Sequence, residues 1–420
     1  MLTIQFGQCG NQLGHTLFSE VSSDLECANT GVSYKANYQY SEDTFNKWFN
    51  DISKNNERLA RAVLVDTEQK VISKIYNDKS NSWTYSTTNV ICQAGGGCAN
   101  NWAFGYMIKG YELSNVILNC VRQEIEKLDH FDGFLLLLSS AGGTGSGIGS
   151  YITKLLRKEY GKKSIVNTTI LPFSFGEVCT QNYNTLLTLA KLYNESDINI
   201  LIENEQIYNI CTNLLKKSPT NLQDMNKIAC HPSYKIATIK SSPHIPAAFA
   251  NYEPVYNWNS YIRHLKQTLR ISNFNSQLTN VELKIPSNSL SNTTHHTYAC
   301  SISNILITRG IASEQDPIVT DIFKEKHLYA DWNTINWFTH LHQNRKFLNH
   351  DKFLALITNN FQISYSLDIL LNKAWKSYVH SAFLHQYKQF GLEEDDFLQA
   401  FAVLENVVKD YKELVPHAKQ

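Results

Sequence analysis

The sequence predicts an α/β protein with a parallel sheet in its N-terminal half, a smaller α/β middle domain and a C-terminal helical hairpin. Three observations carry this. Short apolar strands alternate with helical stretches through the first half, glycine-rich turns stand where several strands should end, and two amphipathic helical stretches close the chain. Parallel neighbours need a crossover long enough to hold a helix, so such alternation folds into a sheet covered on its faces. Ligands of these sheets sit at the carboxyl ends of the strands.

In order, residues 2–6 read as a strand, 11–22 as a helix, 62–66 as a strand and 105–127 as a long helix. The run 134–138 is wholly apolar and reads as a buried strand, followed by a helix at 147–159 and a strand at 164–172. From Pro219 to Ser366 the pattern loosens into polar loops between short strand candidates such as 299–308. Residues 369–390 then read as a helix stopped by Gly391, and 396–414 as a second. Phe397, Phe401, Leu404, Val407, Val408 and Tyr411 share one face of the second helix, acidic Glu393–Asp396 favour its start, and Pro416 follows it. Its polar face is not basic, so it reads as packed on the body and not as a membrane-surface helix. The expected division is 1–205, 206–366 and 367–420.

The 420 residues are 43% hydrophobic and 18% charged, enough to build real cores, which argues against disorder. Lys plus Arg, 38, balances Asp plus Glu, 38, so no overall field draws the chain to nucleic acid or anionic lipid. Any anion must be held locally. Nine scattered cysteines without a CxxC pair fit reduced thiols better than a disulfide framework or zinc site. The start lacks a secretory pattern and no apolar run could span a bilayer, so a soluble protein of the cytoplasm without membrane insertion is expected.

The sharpest local feature is Ser139-Ser140-Ala141-Gly142-Gly143-Thr144-Gly145-Ser146-Gly147, between a strand and a helix. Glycines this dense let the backbone turn tightly and aim N–H groups at an anion, to which the helix start adds its positive end. A phosphate site is the natural inference; the competing reading is a turn needing glycine only for packing. A P-loop would need Lys followed by Ser or Thr, and G-x-G-x-x-G would need glycine where Ile148 or Ser150 stands, so neither motif applies. Two further glycine turns, Gly7-Gln8-Cys9-Gly10-Asn11-Gln12 and Gly95-Gly96-Gly97-Cys98-Ala99-Asn100-Asn101, could enclose the same phosphate chain. Val65-Asp66-Thr67-Glu68 ends a strand with two carboxylates, which either hold the waters of a Mg²⁺ or are solvated loop acids.

Together GQCGNQ at 7–12, NNWAFG at 100–105 and AGGTGSG at 141–147 resemble the tubulin superfamily, over nearly the whole chain. The strings at 180–184, 263–267, 271–273, 383–387 and 390–397 point within it to a branch distinct from alpha and beta chains. The resemblance implies GTP or GDP as ligand, with Mg²⁺. It implies that Gln8 and Cys9 touch phosphate and base, that Asp66 and Glu68 serve the metal, and that Ala99 and Asn100 meet the terminal phosphate. Ser139, Gly142, Gly143, Thr144, Gly145 and Ser146 would wrap the phosphate chain, Glu177 would contact ribose, and Asn204 and Asn226 would read guanine. Implied partners are other tubulins in a microtubule or centriolar assembly, and the implied location is the cytoskeleton, at centriole, basal body and cilium.

There are departures. Leu222 stands where the family usually stacks an aromatic ring, and Cys98 and Ala99 stand where glycine is common. His231-Pro232 follows Asn226 almost at once and is expected to stop the helix carrying it, so that roughly forty residues of the family pattern are missing, with the segment that completes a neighbour's hydrolytic site. Either the chain cannot activate hydrolysis in a partner, or the coding sequence is incomplete. The last four residues, His417-Ala418-Lys419-Gln420, do not resemble the glutamate-rich tail that alpha and beta chains offer to motors, so tail-dependent partners are not expected. The expected function is a GTP-binding tubulin of centrioles or basal bodies, the alternative a non-polymerising GTP-binding regulator. A freestanding hydrolase or dehydrogenase is disfavoured, since no general-base constellation or dinucleotide fingerprint is visible.

Overall fold

A computed structural model describes residues 1–27, 32–50, 57–78, 80–93, 96–173, 176, 178–236, 245–250, 301–324, 326–330, 332, 338–348 and 350–414. The chain opens with β1 (Leu2–Phe6), α1 (Gly7–Glu26) and α2 (Tyr34–Trp48), then β2 (Phe49–Asn50), β3 (Arg58–Ala60), β4 (Ala62–Asp66), α3 (Gln69–Tyr76), β5 (Trp83–Tyr85) and β6 (Val90–Cys92). It continues through α4 (Gly110–Glu126), β7 (Gly133–Ser139), α5 (Gly149–Glu159), β8 (Ser164–Leu171), α6 (Gln181–Glu195), β9 (Ile198–Glu203), α7 (Asn204–Asn209), α8 (Leu222–Ile236) and β10 (Ile245–Ala250). Last come β11 (Ser301–Arg309), β12 (Phe338–Gln343), β13 (Phe353–Asn360), α9 (Ile363–Val379), α10 (Leu384–Lys388) and α11 (Glu394–Glu413).

Ten strands form one sheet in the order β12-β11-β13-β10-β9-β8-β7-β1-β4-β6. From β6 to β10 every neighbour is parallel, as the alternating pattern requires. Strand β10 joins the halves of the chain: it pairs parallel with β9 at Ile245 and Pro246 and antiparallel with β13 from Ala247 to Ala250. The parallel half is buried on both faces, which explains the unbroken apolar run in β7. Leu135 and Leu137 pack with Leu13, Leu17 and Phe18 of α1, while Phe134, Leu136 and Leu138 pack with Ile117 of α4 and Ile152 and Leu156 of α5. Each such side chain stabilises the fold by about 1.5–3 kcal/mol on burial. A third cluster seats α9 and α11 on Trp102, Tyr106, Tyr183, Leu186 and Leu187.

Three elements differ from expectation. The helix expected at 105–127 starts as a π-helical stretch, Phe104–Lys109, before α4, and there Gly105 lies so close to the glycine loop that a Cβ would stand 2.2 Å from the Gly143 carbonyl oxygen. The helix expected at 369–390 is two: α9 begins earlier and stops at Val379, and Ser381 and Phe383, both left-handed with φ of 51° and 59°, redirect the chain into α10. Pro232 does not end α8, which runs on to Ile236. Met225, Ile228, Ala229 and Cys230 are buried against α1, and this packing outweighs one missing donor near the helix end.

The eight described cysteines are free. No helix among the described residues is long and apolar enough to cross a membrane, and no described group of three His, Cys, Asp or Glu could hold a metal alone. His340, half-buried, and His342, exposed, both meet the Thr308 hydroxyl, at 2.8 and 2.9 Å.

Candidate functional site

The four polar loops expected to converge do so at the carboxyl ends of β7, β1 and β4, which are adjacent in the sheet. Gly7, at φ 68°, takes the left-handed turn from β1 into α1, and a Cβ there would lie 2.9 Å from the Gly145 nitrogen. The first two glycine turns therefore touch. Gln8 is exposed and Cys9 half-buried, and burial pushes the Cys9 thiol up to about 12, leaving it a neutral contact surface.

In the central loop the Ala141 N–H donates to Ser139 Oγ at 3.3 Å, and the Ser146 hydroxyl donates to the Gly142 carbonyl. The chain then enters a π turn, Thr144–Ile148, that continues into α5, and the first N–H groups of such a helix start have no partner within the helix ladder. A Cβ on Gly143 would meet backbone, Cys98 O at 2.6 Å and Asn101 N at 2.7 Å. Gly142 differs. A Cβ there would find only Asn100 Oδ1, at 3.7 Å, so the loop leaves open space beside Gly142.

The third loop turns through two left-handed residues, Ala99 at φ 47° and Asn100 at 51°, closed by Asn101 N–H to the Cys98 carbonyl at 2.8 Å. Alanine adopts a conformation usually given to glycine, at a cost of roughly 1–2 kcal/mol. Both Ala99 and Asn100 are exposed, whereas Cys98 is buried. The fourth loop is bound to the others by the Thr67 hydroxyl, 2.7 Å from that of Thr144 and 3.8 Å from Cys98 Sγ.

Asp66 is buried and accepts from the N–H groups of Thr67 (2.8 Å) and Glu68 (3.2 Å) and from Asn11 Nδ2 (3.4 Å). Burial, only partly offset by those donors, pushes its carboxyl up to about 6. The buried Asn11 Oδ1 beside it has no hydrogen-bond partner among the described residues. An acceptor-rich corner of this kind, with Glu68 and the Thr67 hydroxyl at hand, fits a hydrated divalent cation completed by phosphate oxygens.

Asn204 opens α7 directly after β9, and Asn226 lies on α8, which packs along α1. Both are half-buried, and Leu222 is exposed. Glu177 lies outside the described residues. Sequence reasoning missed Asn11, Thr67, Asn101 and Asn184, whose hydrogen bonds hold the loops together. Asn11 and Asn101 stand in glycine strings, Thr67 between the two loop acids and Asn184 in the string at 180–184, and those places were the one signal the sequence offered.

A parallel sheet whose strand ends carry converging glycine loops defines a nucleotide-binding α/β protein, and residues 1–212 match the Tubulin/FtsZ family, GTPase domain. The chain belongs to the tubulin family and is a tubulin-type GTP-binding protein. Its relatives include the Tubulin delta chain of Mus musculus, 32% identical over 99% of this chain and 100% of the relative, and that of Homo sapiens, 32% identical over 98% and 99%. The Tubulin gamma chain of Saccharomyces cerevisiae is 25% identical over 98% and 92%. The narrower resemblance, within the family, is thus to delta chains.

Proposed function

We propose that this chain is a delta-type tubulin that binds GTP or GDP with Mg²⁺ and serves the assembly of centriole or basal-body triplet microtubules, and through them cilium formation, in the company of other tubulins. The observation that supports the nucleotide site is the meeting of four loops at Gly143, Thr144 and Gly145, at the carboxyl ends of adjacent parallel strands. Residues 1–205 would form the GTP-binding domain, with 206–366 the middle domain and 367–420 the C-terminal helices.

In this site the backbone donors of Gly142, Gly143, Thr144, Gly145 and Ser146 hold the phosphate chain, with Ser139 supporting the turn. Ala99 and Asn100 close over its end, Gln8 and Cys9 line its base side, and Glu177 accepts from ribose. Asn204 and Asn226 pair with the guanine edge. Asp66 and Glu68 hold the waters of the cation, which neutralises phosphate charge when bound. A tagged chain expressed in ciliated cells should concentrate at centrioles and basal bodies; uniform decoration of cytoplasmic microtubules would contradict the proposal.

The second reading, a GTP-binding regulator that does not polymerise, is favoured by one observation. Alignment to the mouse delta chain runs over 458 positions against 420 residues here, so at least 38 positions (458 less 420) of the relative face a gap. Water positioning is worth orders of magnitude in phosphoryl transfer, and a chain without the segment that serves a neighbour should release phosphate slowly, alone or mixed with itself. Turnover equal to an alpha- and beta-tubulin mixture at the same concentration would show that another residue supplies that role.

A further inference from the structure

Asn184, on α6, is fully buried and makes four hydrogen bonds with one carboxamide. Its Nδ2 donates to the Asn100 carbonyl and to the Ala141 carbonyl, both at 2.7 Å, and its Oδ1 accepts from the Trp102 N–H at 2.9 Å and the Tyr387 hydroxyl at 2.7 Å. These use every donor and acceptor the group has. Asn100 belongs to the loop assigned to the terminal phosphate, and Ala141 immediately precedes Gly142. One side chain therefore bridges the two loops that face the phosphates, from behind. Thr180 Oγ1 adds a second bond to the Asn100 carbonyl at 3.0 Å.

The fourth bond leaves the nucleotide-binding domain. Tyr387 lies on α10, is buried, and packs edge-on against Tyr183 and Phe397, with ring centroids at 5.6 and 5.4 Å. Asn101 Nδ2 makes a parallel link, donating to the Gln386 carbonyl at 2.9 Å.

We propose that Asn184 is the positioning residue that sets the spacing between the two phosphate loops, and that Tyr387 ties this spacing to the C-terminal helices. The inference rests on the reading of these loops as the guanine-nucleotide site. Neither residue of similar size fits the position. Aspartate keeps the acceptors but turns a charge toward two carbonyls, and leucine leaves four buried backbone and hydroxyl groups unmatched.

The test titrates a fluorescent GDP analogue against the full chain and its Asn184→Asp, Tyr387→Phe and double variants, with a melting curve for each. Asn184→Asp should bind at least about tenfold more weakly, and Tyr387→Phe, which keeps its ring, about two- to tenfold more weakly, the worth of one hydrogen bond. If Tyr387 acts through Asn184, the double variant binds no worse than Asn184→Asp alone. Wild-type affinity in either single variant, or independent losses that add in the double, would overturn the inference. Should Asn184→Asp fail to fold, Asn184→Ala takes its place in the cycle. A wild-type chain that does not bind the analogue would instead overturn the nucleotide reading.

Discussion

Gly143→Val is expected to abolish guanine-nucleotide binding. The Cβ it introduces would lie 2.6 Å from the Cys98 carbonyl oxygen and 2.7 Å from the Asn101 nitrogen. Both are backbone atoms, held in a loop already turned through left-handed Ala99 and Asn100, so neither can yield as a flexible side chain would. The central loop and the Ala99–Asn100 loop must separate, and the donors aimed at phosphate lose their convergence. Gly142→Ala is the informative contrast, because its Cβ meets nothing nearer than 3.7 Å and the empty fold is undisturbed. It should melt as wild type and still bind more weakly, since the methyl enters the space assigned to the ligand. A Gly143→Val protein that retains bound nucleotide through gel filtration would reduce this loop to a packing turn.

Asp24→Ala destabilises the fold by about 3–5 kcal/mol, the usual cost of removing one partner of a buried ion pair. Asp24 closes α1 far from the nucleotide loops, with no exposed side-chain surface, and accepts from Arg309 Nη1 at 3.0 Å and Nη2 at 3.2 Å and from the Tyr40 hydroxyl at 2.7 Å. Arg345 Nη1 stands 3.0 Å from the same carboxylate, and both guanidiniums lie over the Tyr40 ring. One carboxylate thus holds β11 and the loop after β12 against α1. Burial raises the Asp24 carboxyl, but Arg309, Arg345 and Tyr40 together hold it below the ordinary aspartate value. A lowered folded value contributes stability above the unfolded pKa near 4, and that contribution disappears as pH falls through the folded value. Urea unfolding at pH 7 should show the loss in full and at low pH a smaller one. Equal stability of variant and wild type at pH 7 would mean the cluster does not hold the two halves together.

Much of the N-terminal half was legible because its signals are local. The strands expected at 2–6 and 62–66 have those bounds: β1 is buried throughout, with Thr3 and Gln5 among its apolar residues, and stops at the Gly7 turn, while β4 is an apolar run that closes on Asp66. The break at 380–383 was illegible for the opposite reason. Neither Ser381 nor Phe383 is a residue that marks a left-handed turn, and tertiary packing of Leu384 and Tyr387 imposes it. Pro232 misled in the same sense, its local cost being overridden by the apolar face of α8. The glycine loops announced a phosphate site, but not the side chains that brace it. Asn184 reads like any polar helix residue until its four partners, from positions 100 to 387, are brought together by the fold.

The most direct test of the account is competition between GTP and ATP for the purified chain, read by displacement of the fluorescent GDP analogue. In the proposed site Asn204 and Asn226 would offer carboxamides to the guanine edge, and adenine would leave them facing groups they cannot pair with. GTP should displace the analogue stoichiometrically while ATP at the same concentration leaves it bound, and Asn204→Ala or Asn226→Ala should weaken GTP by about 1–3 kcal/mol. Equal displacement by ATP and GTP, with both alanine variants unchanged, would contradict it.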